Sequence, residues 1–190
     1  MIKIIFAEDD TDFVYLIQEF LKNESDFEVL GYADNKDDAI SLAQKLKPDI
    51  VLMDLNLSSP YLDGIDAAKQ IRLTTDAKVL LLTSFYQPDI IIEASKKAFA
   101  SGYIFKSQYG QLPGMIRATA AGSTPQEEFI RALIVSELSV AEKTVLELIM
   151  GKHVEISSSE KTIANQKTQI FKKMGLRNSN EILHVFKRYG

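Results

Sequence analysis

The sequence predicts an α/β protein, in which a (βα)5 domain with a five-stranded parallel sheet is followed by a small all-α domain. Over residues 1–122, short apolar runs alternate with segments of helical periodicity, which is the pattern of βαβ units. Beyond residue 137, the predicted elements are all helices. A turn-forming stretch of Gly, Ser, Thr and Pro over 122–125 marks the boundary between the two parts.

The strands are predicted by five short apolar runs. The third and fourth runs are apolar without alternation, as expected of strands that helices cover on both faces. Asn35, followed by Asp38 three residues later, is typical of a helix start and places the second helix after the second strand. The predicted strands are 3–7, 27–33, 50–54, 79–83 and 103–105, and the predicted helices are 12–23, 36–46, 65–73, 88–99 and 111–121.

A linker helix is predicted over 123–137, since Thr124 is a good cap, Pro125 a good first helical residue and Glu127 the acid of a capping box. Residues 138–190 then form the predicted all-α domain, and each of its helices has its own start signal. These signals are the capping box Ser139 to Glu142 before a helix that ends at Gly151, Ser159 before a helix that runs to Met174, and Asn178 with Glu181 before a helix over 182–187. In the first of these helices we expect Val145, Leu148 and Ile149 to face inward.

The composition describes a globular chain. With 190 residues, the chain has room for one or two modest domains but not for a large enzyme. The absence of cysteine excludes disulfides, thiolate zinc sites and cysteine nucleophiles. Acid appears at Glu8, too early for a signal peptide, and no apolar run approaches the roughly 18 residues of a membrane span. We therefore expect a cytoplasmic protein that does not bind membranes.

The net charge of −4 is unevenly distributed along the chain. Residues 1–122 carry 12 basic and 18 acidic side chains, a net charge of −6. Residues 137–190 carry 9 basic and 6 acidic side chains, a net charge of +3. This asymmetry indicates different partners for the two parts, although a basic helix is also compatible with a merely solvated surface.

Charged and hydroxyl side chains follow or end four of the predicted strands. Glu8 and Asp9 follow the first strand, Asp54 ends the third, Thr83 ends the fourth and Lys106 follows the fifth. The carboxyl ends of parallel strands meet at one edge of the sheet, so these carboxylates would crowd one cleft, where Mg2+ would relieve their repulsion. Taken singly, an acidic pair after a strand is more often a helix cap, and a single lysine is usually solvated. Their joint placement favours a phosphate site.

Five motifs carry a family resemblance: Glu8-Asp9, Val51-Leu52-Met53-Asp54-Leu55-Asn56, Asp63-Gly64, Leu82-Thr83-Ser84 and Ser101-Gly102-Tyr103-Ile104-Phe105-Lys106. With them, residues 1–122 resemble the receiver domain of bacterial two-component systems, which has the CheY-like, flavodoxin-like fold. The resemblance implies that a sensor histidine kinase or a small phosphodonor phosphorylates Asp54, and that Lys106 and Thr83 contact the phosphoryl group. It also implies that Mg2+ is held by Glu8 or Asp9, by Asp54 and by the backbone carbonyl of Asn56.

In this family, Thr83 moves on phosphorylation and Tyr103 turns inward, so both residues are expected to form the switch. The chain departs from the family pattern after the phosphoacceptor. Pro60 and Gly64 come six and ten residues after Asp54, which corresponds to a two-residue insertion over 56–59. The loop beside the site is therefore expected to be longer than usual.

Residues 138–190 resemble the LuxR/NarL-type helix-turn-helix domain, on the motifs 138–146, 159–163 and 170–175. The resemblance implies that the helix starting at Glu160 enters the DNA major groove. Its outward residues are the expected DNA contacts, namely Lys161, Asn165, Lys167, Thr168 and Lys172. Two departures weaken this expectation. Residues 152–158 are too few for the usual scaffold helix, which is lost or reduced to one turn, and Ala164 stands where a basic residue is common.

Together these features predict a two-component response regulator of the LuxR family, which takes part in phosphorelay signal transduction. Phosphorylation of Asp54 would favour a homodimer whose output domains bind duplex DNA and regulate transcription. The alternative is a receiver-controlled protein-protein interaction module whose shortened helix-turn-helix no longer binds DNA. A hydrolase is less favoured, because no general base stands apart from the acidic cluster. We expect a phosphoacceptor with at most slow autodephosphorylation, not an enzyme.

Overall fold

The computed structural model describes residues 1–57, 62–155 and 158–186. The chain forms two compact units, Met1–Ile130 and Arg131–Gly190, and the boundary lies inside helix α6 (Pro125–Ser136). No helix in the described ranges is long and apolar enough to cross a membrane.

The first unit alternates strands and helices. Its strands are β1 (Ile2–Ala7), β2 (Phe27–Ala33), β3 (Ile50–Asp54), β4 (Lys78–Thr83) and β5 (Gly102–Phe105). Its helices are α1 (Thr11–Leu21), α2 (Lys36–Leu46), α3 (Asp63–Thr74), α4 (Pro88–Ala98), a 3-10 helix (Lys106–Gln111) and α5 (Leu112–Ala121). The predicted order of five strands and five α-helices is therefore confirmed.

The five strands form one parallel sheet in the order β2-β1-β3-β4-β5. All five residues of β3 are buried, which agrees with its unbroken apolar sequence. On one face of the sheet, α1 and α5 contribute Ile17, Leu21, Leu112 and Ile116 to the core. Helices α2, α3 and α4 pack in sequence against one another as the other helical group. The carboxyl ends of the five strands thus lie at one common edge of the sheet.

Local signals place the helix starts in this unit. The side chain of Asn35 accepts a hydrogen bond from the Asp38 N–H at 2.9 Å, as its spacing predicts. At the start of α6, Thr124 Oγ1 accepts from the Glu127 N–H at 3.1 Å. Both helices therefore begin where a short polar side chain satisfies a free backbone donor.

The second unit contains the end of α6 and helices α7 (Val140–Ile149), α8 (Glu160–Met174) and α9 (Ser179–Phe186). Helix α7 packs against α8 and α9. The buried apolar side chains of this unit are Ile134, Leu138, Val145, Leu146, Ile170, Met174, Leu176, Ile182, Val185 and Phe186. The capping box of Ser139 and Glu142 is formed, and Ser159 caps α8 through the Thr162 N–H.

The inward stripe of α7 differs from the prediction. Val145 and Leu146 are buried and Ile149 is half-buried, but Leu148 is 38% exposed. On a helix of 3.6 residues per turn, residues 142, 145, 146 and 149 share one face, and residue 148 lies about 110° from its centre. The predicted inward orientation of Leu148 was therefore wrong.

The region between α7 and α8 was expected to have lost most or all of its scaffold helix. The described residues there, 152–155 and 158, lie in no helix, and residues 156–157 lie outside the described ranges. Helix α9 begins at Ser179, directly after the Asn178 cap, three residues before the predicted start. Lys187, the predicted end of that helix, is also outside the described residues.

Candidate functional site

Three carboxylates meet at the carboxyl edge of the sheet. Ala7, the last residue of β1, pairs with Met53 of β3, so Glu8 and Asp54 follow at the same level of neighbouring strands. One oxygen from each of Glu8, Asp9 and Asp54 lies within 4.8 Å of the others. Glu8 and Asp54 are 2% and 6% exposed, whereas Asp9 is exposed. The arrangement is an acidic cluster of the kind typical of Mg2+ sites.

Asp10, the third acidic residue of this run, has a structural role. Its Oδ1 accepts hydrogen bonds from the N–H groups of Asp12 and Phe13, at 3.0 and 3.1 Å, and so caps α1. The Asp10 N–H in turn donates to Glu8 Oε1 at 3.2 Å. The interpretation of an acid after a strand as a helix cap therefore applies to Asp10. Through its N–H, the start of α1 also orients the Glu8 carboxylate toward the cleft.

Lys106 joins the two buried carboxylates. Its Nζ lies 2.9 Å from Asp54 Oδ2 and 2.8 and 2.7 Å from the two carboxylate oxygens of Glu8. The same ammonium lies 4.9 Å from the centre of the Phe13 ring, a cation–π contact that the sequence interpretation missed. Phe13 could have been noticed as the aromatic residue in the first turn of the helix that leaves the acidic run.

Burial raises the pKa values of the two buried carboxyls in this cluster. Burial raises the pKa of the Glu8 carboxyl to about 7, with a further contribution from the charge of Asp54 and partial opposition from Lys106. Burial also raises the pKa of Asp54, although Lys106 and the backbone N–H groups of Asn56 and Leu55 oppose that rise. For Lys106, burial lowers the pKa, but Glu8 and Asp54 outweigh it and the net shift is upward.

Thr83 ends β4, one residue beyond Leu82, which pairs with Asp54. It is 1% exposed, and its Oγ1 accepts a hydrogen bond from the Phe85 N–H at 2.9 Å. Because the hydroxyl accepts this bond, its own hydrogen stays available for donation. Thr83 therefore lies at the same sheet edge as Asp54, and its hydroxyl can donate a hydrogen bond there.

Tyr103 is half-buried on β5, where it pairs with Leu81 of β4. Its ring meets the Phe105 ring edge to face, with 6.0 Å between centroids. Phe105 also stacks on Tyr86 with 4.6 Å between centroids, and the Tyr86 hydroxyl lies 2.8 Å from the Ser107 Oγ. The predicted switch residue thus belongs to a chain of aromatic contacts that leads to the loop after β4.

Gly64 allows α3 to approach the end of β3. A Cβ atom at this position would fall within 3.0 Å of two backbone carbonyl oxygens, those of Asp54 and Leu55, and the Gly64 N–H donates to the Leu55 carbonyl at 3.1 Å. The Leu57 N–H donates to Asp63 Oδ1 at 3.1 Å, which fixes the end of the same loop. Of the predicted insertion over 56–59, residues 58 and 59 lie outside the described ranges.

The residues predicted to contact DNA lie along α8. Lys161, Asn165, Thr168 and Lys172 are exposed, and Lys167 is half-buried. Thr168 Oγ1 donates to the Ala164 carbonyl at 3.1 Å, so its hydroxyl hydrogen is used within the helix. The neighbouring Lys173 has a different role, because its Nζ contacts Glu142 Oε2 at 2.7 Å and ties α8 to α7.

Comparisons with known proteins agree with this geometry. The family model described as "Response regulator receiver domain" matches residues 4–117. The transcriptional regulatory protein DesR of Bacillus subtilis is 30% identical over 200 residues, which cover all of this chain and 98% of DesR. A LuxR-family two-component response regulator from Aurantimonas is 28% identical with a TM-score of 0.60, over 72% of this chain and 97% of that one.

A second similar structure is the response regulator RcsB in a complex with DNA. It covers 100% of this chain and 99% of its own, with a TM-score of 0.56 and 22% identity, so the likeness is one of fold. The family match spans more than half of the chain and includes the acidic cluster, Thr83 and Lys106. The chain belongs to the response regulator receiver family, and its full-length similarity is to transcriptional regulators.

Proposed function

We propose that this chain is a phosphorylation-switched transcriptional regulator, in which Asp54 accepts a phosphoryl group from a sensor histidine kinase and the second unit binds duplex DNA. One observation carries the first half of this proposal. The Lys106 ammonium lies between the buried carboxylates of Glu8 and Asp54, at hydrogen-bonding distance from both. A buried carboxylate held beside a cation at a cleft edge is suited to receive an anionic group.

The chemistry is a phosphoryl transfer to a carboxylate. An Asp54 oxygen attacks the phosphorus of a phosphohistidine or of acetyl phosphate, the bond from phosphorus to the imidazole nitrogen or acetate oxygen breaks, and an acyl phosphate forms. Lys106 then pairs with a phosphoryl oxygen instead of the free Asp54 carboxylate. The Thr83 hydroxyl, whose hydrogen is available, donates to a second phosphoryl oxygen.

The acidic cluster fits Mg2+. Its ligand atoms are carboxylate oxygens within 4.8 Å of one another, and oxygen is the ligand that Mg2+ prefers. Near them, the Asn56 Oδ1 is buried without a hydrogen-bond partner among the described residues. We propose Glu8, Asp9, Asp54 and the backbone carbonyl of Asn56 as the ligands. When bound, the ion supplies positive charge that offsets the carboxylates and the phosphoryl oxygens.

The second half of the proposal rests on α8. Its exposed face presents Lys161, Asn165 and Lys172, which combine two phosphate-pairing cations with an amide able to read adenine. The full-length relative DesR is named a transcriptional regulatory protein, which supports the same assignment. We further propose that phosphorylation favours a homodimer, since paired output units would meet two half-sites on DNA.

The receiver proposal is tested by labelling with radioactive acetyl phosphate in the presence of Mg2+. The wild type should be labelled, and Asp54→Ala should not. Asp37→Asn is a control, because Asp37 is an exposed acid on α2 that is not one of the clustered carboxylates, and its variant should label like the wild type. Full labelling of Asp54→Ala would refute the assignment of the phosphoacceptor.

The output proposal is tested by fluorescence polarisation with duplex DNA over a series of salt concentrations, with and without phosphodonor. Binding that weakens steeply with salt and tightens on phosphorylation supports a DNA-binding output unit. One observation favours the alternative of a protein-protein interaction module, since the described residues between Gly151 and Ser159 contain no helix. Absence of duplex binding at low salt in both states would decide for that alternative.

A further inference from the structure

The first turn of α6 lies on the open edge of the sheet. In the described part of the chain, β5 pairs only with β4, so its outer backbone groups have no strand neighbour. The Tyr103 N–H donates to Gln126 Oε1 at 3.0 Å, and Gln126 Nε2 donates to the Tyr103 carbonyl at 3.2 Å. A single side-chain amide therefore takes the place of a neighbouring strand at the residue predicted to switch.

Gly102 makes this contact sterically possible. A Cβ atom at residue 102 would lie 2.5 Å from Gln126 Oε1 and 3.1 Å from Leu80 Cδ2. The strand residue beside Tyr103 thus has to lack a side chain for the Gln126 amide to reach the backbone.

A buried ion pair anchors the same turn. Lys78 Nζ lies 3.3 Å from Glu127 Oε2 and donates to the carbonyl oxygens of Thr119 and Gly122 at 2.9 and 2.6 Å. Glu127 is 0% exposed, so moving this turn away from β4 would leave a charge without its partner. Gln126 and Glu127 together hold the start of α6 on β5 and β4, and we call these two residues and their contacts the α6 latch.

We propose that the α6 latch is a phosphorylation-sensitive restraint, which holds α6 when Asp54 is a free carboxylate and loosens when Asp54 is phosphorylated. The proposal rests on the phosphoacceptor role of Asp54 proposed above. The ion pair of Lys106 with Asp54 Oδ2, at 2.9 Å, requires the charge of a free carboxylate, so the closed latch coexists with that form. Lys106 directly follows the last residue of β5 and lies three residues after Tyr103. When Lys106 changes partner, the end of β5 therefore moves with it.

Helix α6 extends this effect along the chain. It runs from Pro125 to Ser136, while the boundary of the units lies after Ile130, so the latch holds one end of a helix whose other end belongs to the second unit. Loosening Gln126 would free the first turn of α6 from β5. In this way, phosphorylation of Asp54 would act on the second unit through helix α6, which is part of both units.

The test is amide hydrogen exchange of the full chain with Mg2+, with and without beryllofluoride as an acyl phosphate mimic. In the wild type, the mimic should speed exchange at the Tyr103 N–H and over the first turns of α6 by about fivefold or more, the loss expected for one hydrogen bond. Gln126→Ala should show this fast exchange without the mimic. Glu128→Gln, an exposed neighbour on the same turn that keeps an Oε1 acceptor for the Ser123 hydroxyl, should behave like the wild type.

Gln126→Glu refines the test, because it keeps an acceptor for the Tyr103 N–H but loses the amide donor to the Tyr103 carbonyl, so its exchange should be intermediate. If the mimic binds Asp54 and exchange at Tyr103 and α6 does not change, the latch proposal is overturned while the phosphoacceptor role stands. If neither acetyl phosphate nor the mimic reacts with Asp54, the proposed function fails, and the latch fails with it for lack of a trigger.

Discussion

The acidic cluster of the first unit and the exposed face of α8 in the second unit hold their candidate functional side chains in opposite environments. Glu8 and Asp54 are 2% and 6% exposed and share one ammonium, and their pKa values are raised by burial. On α8, Lys161 and Asn165 are exposed. Their orientation follows from the core contacts of the helix, such as Ile170, and not from contacts that they make themselves.

This difference separates two ways of building a functional surface. In the acidic cluster, the charged side chains around the proposed phosphoryl group are also buried. A substitution that alters function there therefore also alters the free energy of unfolding. On α8, the helix is stabilised by its caps and its buried face, so the exposed residues can vary at little energetic cost. Stability measurements should therefore respond strongly to the first region and weakly to the second.

The largest effect is expected for Gly64→Ala. The added Cβ would fall on the backbone carbonyl of Asp54, with no flexible side chain that could yield. We expect this variant to lose about 3 kcal/mol or more of the free energy of unfolding, together with most phosphoryl labelling. Urea unfolding and acetyl phosphate labelling measure the two effects.

Gly114→Ala is the matched control. Gly114 lies within α5, and a Cβ atom there would have no neighbour within 4 Å. Alanine should raise the free energy of unfolding by about 0.5 to 1 kcal/mol, because it restricts the unfolded chain more than glycine does. Equal losses in both variants would show that the approach of α3 to β3 is not special to the site.

The next effect is a pH dependence of stability that comes from Glu8. Its pKa rises from 4.5 in the unfolded chain to about 7 in the folded one, so the folded protein binds more protons between these values. The free energy of unfolding should therefore fall as the pH rises from 4.5 to 7 and then level off. After allowance for solvent screening, we expect a fall of about 1 to 2 kcal/mol in urea unfolding without divalent cations.

Glu8→Gln tests the origin of this slope. The amide cannot ionise, so the part of the fall that comes from Glu8 should disappear, leaving the part that comes from Asp54 in the same direction. Asp26, Glu93 and Glu142 have lowered pKa values, so their contributions are lost only as the pH falls through the acidic range below this window. A slope that is unchanged in Glu8→Gln would contradict the assignment of this pH dependence to Glu8. Asp37→Asn is the control and should keep the slope of the wild type.

Much of the sheet edge could be predicted from the sequence. The unbroken apolar run that ends at Asp54 specifies a strand buried on both faces, and parallel topology alone brings the ends of such strands together. The close approach of Glu8, Asp54 and Lys106 is therefore a consequence of strand boundaries. In the same way, helix starts such as those at Ser139 and Asn35 follow from local spacing.

Other features depend on packing between distant elements and could not be predicted. The contact of Lys106 with Phe13 and that of Gln126 with Tyr103 join residues far apart in sequence, and neither has a local pattern. The exposure of Leu148 could not be predicted either, because the spacing of apolar residues leaves the centre of the buried face of a helix uncertain by one position. Only the packing of α7 against α8 and α9 decides which face is buried.

A moderate effect is expected for the cap of α8. Ser159 Oγ accepts from the Thr162 N–H at 3.2 Å, and Ser159→Ala leaves that donor without a side-chain partner. The free energy of unfolding should fall by about 1 kcal/mol, measured by thermal unfolding monitored by circular dichroism. Ser158→Ala, the preceding exposed residue, should have no such effect, and equal losses would show that Ser159 is not the cap in solution.

The smallest effect on stability is expected for Lys161→Ala. Lys161 is exposed, so its removal should change the free energy of unfolding by less than about 0.5 kcal/mol. If its ammonium contacts a DNA phosphate, affinity should fall about three- to tenfold on every duplex, and the slope of log affinity against log salt should decrease by about 1. Polarisation titrations at several salt concentrations measure both quantities.

Lys143→Ala on α7 is the matched control, because it removes the same exposed cation from the same unit but not from α8. A loss confined to one DNA sequence would place Lys161 on a base instead of a phosphate, since phosphates carry no sequence information. A loss of stability comparable to that of Ser159→Ala would mean that Lys161 supports the helix itself. In that case the exposed face of α8 would resemble the acidic cluster, with function and stability residing in the same side chains.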